Sequence, residues 1–319
     1  MDQEIYISET LNRWLFVAQV CGIRDGEWLT ERQDEWISQS GGVLNVLEQR
    51  SANQLREFHQ KQDSGFVEIL FLEGVEAAWD RICVEYGREY CEALRDTLMV
   101  FSERFQRYWS VAFPRLERIR SYLSGRSEIL QRGLHIVERL CALPEGSLSF
   151  QCIPWFLAIA GSNPRDIIGW FSHRGQHNAF VLEYEGDPTA VSGLLEGIAM
   201  HELIHLGLRL QGSLVGYIQS ESRSMDVTLS AYGMSVERVF EELLVSSFTP
   251  EGALSEIVFG KVHGLGNVPA TSAERSLVSL RRWVAAEMHQ RALEYLNGGR
   301  AIDQAYIREV LAMVQKAPR

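Results

Sequence analysis

The chain has 319 residues, 46% of them hydrophobic and 10% aromatic, which is enough for a substantial core and too much for a disordered chain. A net charge of −11 and a pI near 5.3 exclude nucleic acid and anionic membranes as partners, because both need a basic face. No apolar run is long enough to span a membrane, and the first, Trp14 to Cys21, is too short and poorly flanked for a secretion signal. Five scattered cysteines (21, 83, 91, 141 and 152) without C-x-x-C spacing are expected as reduced thiols in a cytoplasmic protein.

Residues 5 to about 142 read as helices throughout. Thr30-Glu31-Arg32-Gln33 has the form of a capping box, opening a helix that Gly41-Gly42 interrupts. Phe66 to Phe113 is amphipathic, with Phe71, Val75, Ala78, Trp79, Ile82 and Tyr86 spaced three or four apart. Pro114 predicts a new start rather than a continuation. The aromatics Phe101, Phe105, Tyr108, Trp109 and Phe113 are expected to pack between helices. The character changes at Pro144-Glu145-Gly146. Phe150–Ala160, Ile167–Ser172 and Asn178–Tyr184 read as strands, the first closed by Gly161-Ser162-Asn163-Pro164 and the other two joined near Arg174-Gly175. A helix is predicted from Thr189 to Gln211, then a loop containing Gly212 and Gly216. Helices follow over Ser235–Phe248, 272–296 and 302–316. A helical front part (residues 1–143) before a small sheet and more helices (residues 144–319) is an α+β pattern, mostly helical overall.

The most informative stretch is His201-Glu202-Leu203-Ile204-His205. Histidines four residues apart lie one above the other on a helix face, so their imidazoles can converge on one ion. Glu202 projects roughly 100° around the helix, where a carboxylate reaches a metal-held water without ligating the metal. Ile198, Ala199, Leu203, Ile204, Leu206 and Leu208 make the helix apolar all round, hence buried. Unpaired ionisable groups in such a helix are costly, and a bound Zn²⁺ removes that cost. Two histidines leave a catalytic zinc one protein ligand short. Leu208 and Gln211 stand where a glycine and a third histidine would be in one zincin branch, so that branch is excluded. The alternative is a glutamate from the next helix, with Glu237, Glu241 and Glu242 as candidates.

On these residues the chain resembles a gluzincin, the thermolysin-like class of zinc metallopeptidase. The resemblance covers roughly residues 145–250 and implies a zincin-like domain. It favours Glu242 as the third ligand, 37 residues after His205, with Phe240, Leu244 and Phe248 facing the core. Ser246 then stands where a polar residue steadies a histidine ligand, and Glu241 is expected to matter little to the metal. Asn178-Ala179-Phe180 resembles the N-A-F segment on the substrate-binding edge strand of this class, placing Asn178 and Ala179 against an extended peptide. Tyr232, Tyr217 and His263 are candidate oxyanion donors, Tyr232 being preferred for its place before the glutamate helix. His177 is a candidate for the cleft rim, His173 a solvated side chain.

The function so implied is a zinc-dependent peptidase acting on a peptide or protein substrate, with a zinc-bound water as nucleophile and Glu202 as general base. A catalytically silent zincin-fold binding or regulatory protein is the alternative, and a helical interaction module with an accidental motif a further one. A di-iron carboxylate site would need a second Glu-x-x-His, which the chain lacks. Nothing in the sequence sets the oligomeric state.

Overall fold

The computed structural model describes residues 5–23, 36–60, 75–159, 167–174, 177–223, 235–260 and 277–317. The chain is mostly helical and carries one small mixed sheet. The front part comprises β1 (Ile5–Tyr6), α1 (Glu9–Val20), α2 (Val46–Gln60), α3 (Val75–Tyr86), α4 (Arg88–Val100), α5 (Ser102–Ser124) and α6 (Ser127–Leu140). Next come β2 (Trp155–Ala158), β3 (Ile168–Arg174), β4 (His177–Glu183) and α7 (Leu194–Leu210). Helices α8 (Gly212–Ser222), α9 (Val236–Ser246), α10 (Ala253–Phe259), α11 (Leu277–Asn297) and α12 (Gln304–Gln315) follow.

The sheet has strand order β1-β2-β4-β3, with β1, β2 and β4 parallel and β3 antiparallel to β4. Two expectations are corrected here. The front part is not helical throughout, because Ile5 and Tyr6 pair with Trp155 and Phe156. The Asn12 side chain fastens this junction, donating to the Leu157 carbonyl (3.2 Å) and accepting from Ile159 N–H (2.7 Å). A two-residue strand has no period to read, so only the long-range pairing reveals it. Nor is β4 an edge strand. It lies between β2 and β3, and among the described residues the free edge beside it belongs to β3.

Pro114 does not restart a helix, since α5 runs through it. The apolar stripe Phe105, Tyr108, Trp109, Ala112, Leu116, Ile119 and Leu123 continues past the proline and is buried along its length. Pro114 and Ser110 face solvent, where the carbonyl that loses its partner reaches water. The long amphipathic stretch is instead broken at Gly87, whose φ of 86° suits glycine, and at Phe101. The predicted loop after the motif helix is the helix α8, which buries Ile218 and Ser222 despite its two glycines. Cys83 and Cys91 form a disulfide between α3 and α4, correcting the expectation that all five thiols are reduced. Helical spacing does not predict it, because the two cysteines lie on different helices. The inference of a reducing compartment loses that support. No helix among the described residues is long and apolar enough to cross a membrane. The Thr30–Gln33 capping box and the Gly161–Pro164 turn lie outside the described residues.

The sheet and α7 pack into one apolar core. Leu195, Ala199, Met200, Leu203, Ile204, Leu206 and Leu208 of α7 are fully buried, as a helix apolar all round must be. On its far side α7 meets α6 closely. A Cβ at Gly133 would lie 2.8 Å from Met200 Sδ, and one at Gly207 only 2.5 Å from Cys141 Sγ.

Candidate metal centre

α7 begins at Leu194, five residues later than predicted, where Glu196 reaches back to accept from Gly193 N–H at 2.7 Å. Two turns on, His201 and His205 are buried on one face. α9 starts at an N-cap, Ser235 Oγ accepting from Arg238 N–H at 3.2 Å, and brings its own face opposite the histidines. Phe240, Leu244 and Phe248 are fully buried, as expected. Val239 and Leu243 are buried as well, so burial alone does not choose between Glu241 and Glu242.

Geometry separates them. Glu242 Oε2 is 3.1 Å from His201 Nε2, Glu242 Oε1 is 3.3 Å from His205 Nε2, and the two Nε2 atoms are 3.1 Å apart. Among the described residues this is the one cluster of three or more histidine, cysteine, aspartate or glutamate side chains with converging ligand atoms. Both Nδ1 atoms face acceptors. His201 Nδ1 is 2.8 Å from the Thr249 carbonyl, and His205 Nδ1 is 2.7 Å from Glu241 Oε1. A proton on each Nδ1 leaves each Nε2 lone pair directed at the shared point. Donors of a tetrahedral zinc, at ~2.0–2.1 Å from the ion, lie about 3.3 Å from one another. The two Nε2 atoms, 3.1 Å apart, and the nearest Glu242 oxygen to each, at 3.1 and 3.3 Å, are of that order, and all three ligand atoms lie within 4.8 Å of one another.

Glu241 is no bystander, contrary to expectation, since its carboxylate orients His205. The supporting role expected of Ser246 is corrected too. Its hydroxyl accepts from Arg281 Nε at 2.7 Å, and both Nδ1 positions are taken by Thr249 and Glu241. Arg281, on α11, also donates to Glu251 Oε2 at 3.3 Å and lies 3.9 Å from Glu242 Oε2. Thr249 is held by its own hydroxyl, which donates to the Gly197 carbonyl of α7 at 2.8 Å. The helix that carries the histidines thus anchors the carbonyl that orients one of them.

Ionisation follows from this crowding. Burial alone would depress the His205 imidazole, but its hydrogen bonds to Glu241 and Glu242 outweigh burial and raise it to about 10. Burial opposes ionisation of Glu242 as well, yet the two histidines hold its carboxyl far below the usual range. Glu241 is likewise lowered by His205 against burial. Glu202 moves the other way. Burial pushes its carboxyl up, against the lowering pull of His201 and His205. The two glutamates of α9 thus favour the charged form of His205.

Asn178 and Ala179 sit on β4 opposite His173 and Ser172 of β3, and Ala179 is buried. The free edge they were expected to offer is displaced by one strand. Tyr232 and His263 lie outside the described residues. Tyr217 is on α8, where its hydroxyl accepts from Arg308 Nε at 2.5 Å. Sequence reasoning missed Thr249 and Arg281. Thr249 acts through its backbone, which no side-chain pattern records, and Arg281 comes from a helix 35 residues beyond Ser246. No protein-family model matches the chain, and comparison with curated proteins and with solved structures finds no match for it either.

Proposed function

We propose that the chain is a zinc-dependent peptidase of gluzincin type, with a zincin-like arrangement of sheet and motif helix. The carrying observation is that His201 Nε2 and His205 Nε2 lie 3.1 Å apart and that the Glu242 carboxylate meets both, Oε2 at 3.1 Å from the first and Oε1 at 3.3 Å from the second, with both Nδ1 atoms on acceptors. His201, His205 and Glu242 would hold the metal. When bound, zinc supplies an activated water and polarises a carbonyl. Glu202 follows His201 on the motif helix and stands within the electrostatic reach of both histidines and Glu242. Its raised pKa suits a group that accepts a proton and then passes it to a leaving amine. Glu241 and the Thr249 carbonyl keep the imidazoles aimed, and Arg281 balances the negative charge of Glu242 and Glu251. An extended substrate would pair with the edge of β3 that is free among the described residues, on the strand whose Gly169 lies against Glu202.

The test is Glu202→Gln. The amide keeps the shape of the site but cannot accept a proton, so the variant should bind one zinc per chain and lose hydrolysis of an unstructured protein by orders of magnitude, about 10²–10⁴-fold. Loss of the metal would make Glu202 a ligand and overturn this mechanism. Zinc-loaded wild-type protein that cleaves nothing would leave the silent zincin-fold binding protein as the better reading.

A further inference from the structure

Gly169 lies near the start of β3, and its backbone angle φ is ordinary for a strand. Any residue could adopt that backbone. Space is what demands glycine there. A Cβ at position 169 would fall 2.6 Å from Glu202 Cγ, 3.2 Å from Ile198 Cγ2 and 3.3 Å from Phe180 Cε2. The first distance is shorter than real carbon contacts allow, and the other two are tight. Ile198 and Glu202 are one helical turn apart on α7, so together they cradle the strand backbone at its one position without a side chain.

The place of the clash matters. Glu202 Cγ is one bond beyond Cβ, so χ1 alone fixes it, and a collision there cannot be relieved by swinging the carboxylate. Either the side chain changes χ1 or the strand lifts away. On a helix one of the three χ1 wells is closed by the preceding turn, so few alternatives remain. Any of them moves the carboxylate relative to His201 and His205, whose charges it feels.

We infer that Gly169 is a positioning residue for Glu202: by leaving its Cβ space empty, the edge strand sets where the base stands relative to the metal triad. This rests on the peptidase reading for its consequence but not for the contact itself. None of the three atoms nearest such a Cβ belongs to His201, His205 or Glu242, so the base is moved and the metal ligands are expected to stay in place.

The experiment compares four zinc-loaded full-length proteins: wild type, Gly169→Ala, Glu202→Ala and the double variant. Gly169→Ala should lower the melting temperature by about 5 °C, as overpacking does. In the Glu202→Ala background, where Cγ is gone, the same change should cost less than half as much. On dye-labelled casein, Gly169→Ala should keep zinc stoichiometry and KM while losing about 100-fold in kcat, the effect of misplacing a reacting group by about 1 Å. If Gly169→Ala does not fold, the double variant decides: a folded double variant supports the contact, and an unfolded one shows that Ile198 and Phe180 set the limit, overturning it. An equal melting loss in both backgrounds, or full turnover in Gly169→Ala, also overturns the inference. Wild type without hydrolysis would sink the peptidase reading, while the melting comparison would still report on Gly169 and Glu202.

Discussion

Replacing the two adjacent glutamates of α9 one at a time separates ligand from support. Glu242→Ala removes one of the three converging donors. If zinc binding to such a site is worth about 10–16 kcal/mol over four ligands, each contributes about 3 kcal/mol, or about 10²–10³-fold in affinity. Glu241→Ala leaves all three donors but frees His205 Nδ1 from its 2.7 Å partner, so the tautomer and tilt of that ring are no longer fixed. Losses of that kind run to about 10–100-fold. The expected order is therefore wild type, then Glu241→Ala, then Glu242→Ala, with roughly a tenfold step between the variants. Competition against a chelator of known zinc affinity at constant pH measures all three on one scale. Thermal melting with and without chelator checks that each variant is folded. Reversed order would make Glu241 the ligand and break the proposed register. Unchanged affinity in both would place the third ligand elsewhere and remove the gluzincin assignment.

Zinc uptake by metal-free protein should release close to one proton per site at pH 8, because His205 titrates at about 10 before the metal arrives. Calorimetry in buffers of different ionisation enthalpy reads this directly, and zero release would contradict the upward shift of His205. The same shift has a stability consequence of fixed sign: the raised imidazole stabilises metal-free protein fully below its ordinary value near 6.5, and that contribution is lost as pH rises through about 10. In the front part, Glu48→Ala should destabilise by about 3 kcal/mol, because it leaves the buried Arg104 guanidinium with carbonyl and hydroxyl acceptors but without the carboxylate it meets at 2.8 and 3.0 Å. Although burial opposes it, Arg104 holds the Glu48 carboxyl below its usual range, so this pair's contribution is present above pH ~4.5 and fades as pH falls through the lower folded value. Urea unfolding at neutral and acid pH checks both statements, and a Glu48→Ala loss that stays the same size at pH 3 would refute the second. Gly207→Ala should cost about 1–3 kcal/mol, since its methyl would meet Cys141 Sγ at 2.5 Å, and a neutral effect in the same assay would mean that α6 and α7 can part freely.

What could be read from the sequence was local. The two histidines share a face because of their spacing, but Val239 and Leu243 are as buried as Phe240 and Leu244, so only the distances to the imidazoles, not the apolar pattern of α9, separate the roles of Glu241 and Glu242. The three main strands and the motif helix were legible from period and punctuation. Long-range pairing was not. Which strand of the β3–β4 hairpin takes the edge depends on where β2 docks, and nothing within the hairpin records it. The helix through Pro114 defeats a local rule because the buried stripe on its other face outweighs one lost hydrogen bond. Thr249, Gly169 and Arg281 matter through a carbonyl, an empty space and a distant helix, none of which has a spacing signature.

The pairing of β1 with β2 also bears on how this chain emerges during synthesis. Asn12 makes its two sheet contacts with residues 145 and 147 positions later. At about 5–20 residues per second the ribosome takes roughly 7–30 s to deliver them. Throughout that interval Ile5 and Tyr6 have no strand to join, and the apolar face of α1 must wait or find temporary cover among the helices that follow it. Such distant closure slows folding relative to a bundle of neighbouring helices. The nascent front part thus waits longest at β1 and the start of α1, and the arrival of Trp155 to Ile159 is the event that ends the wait.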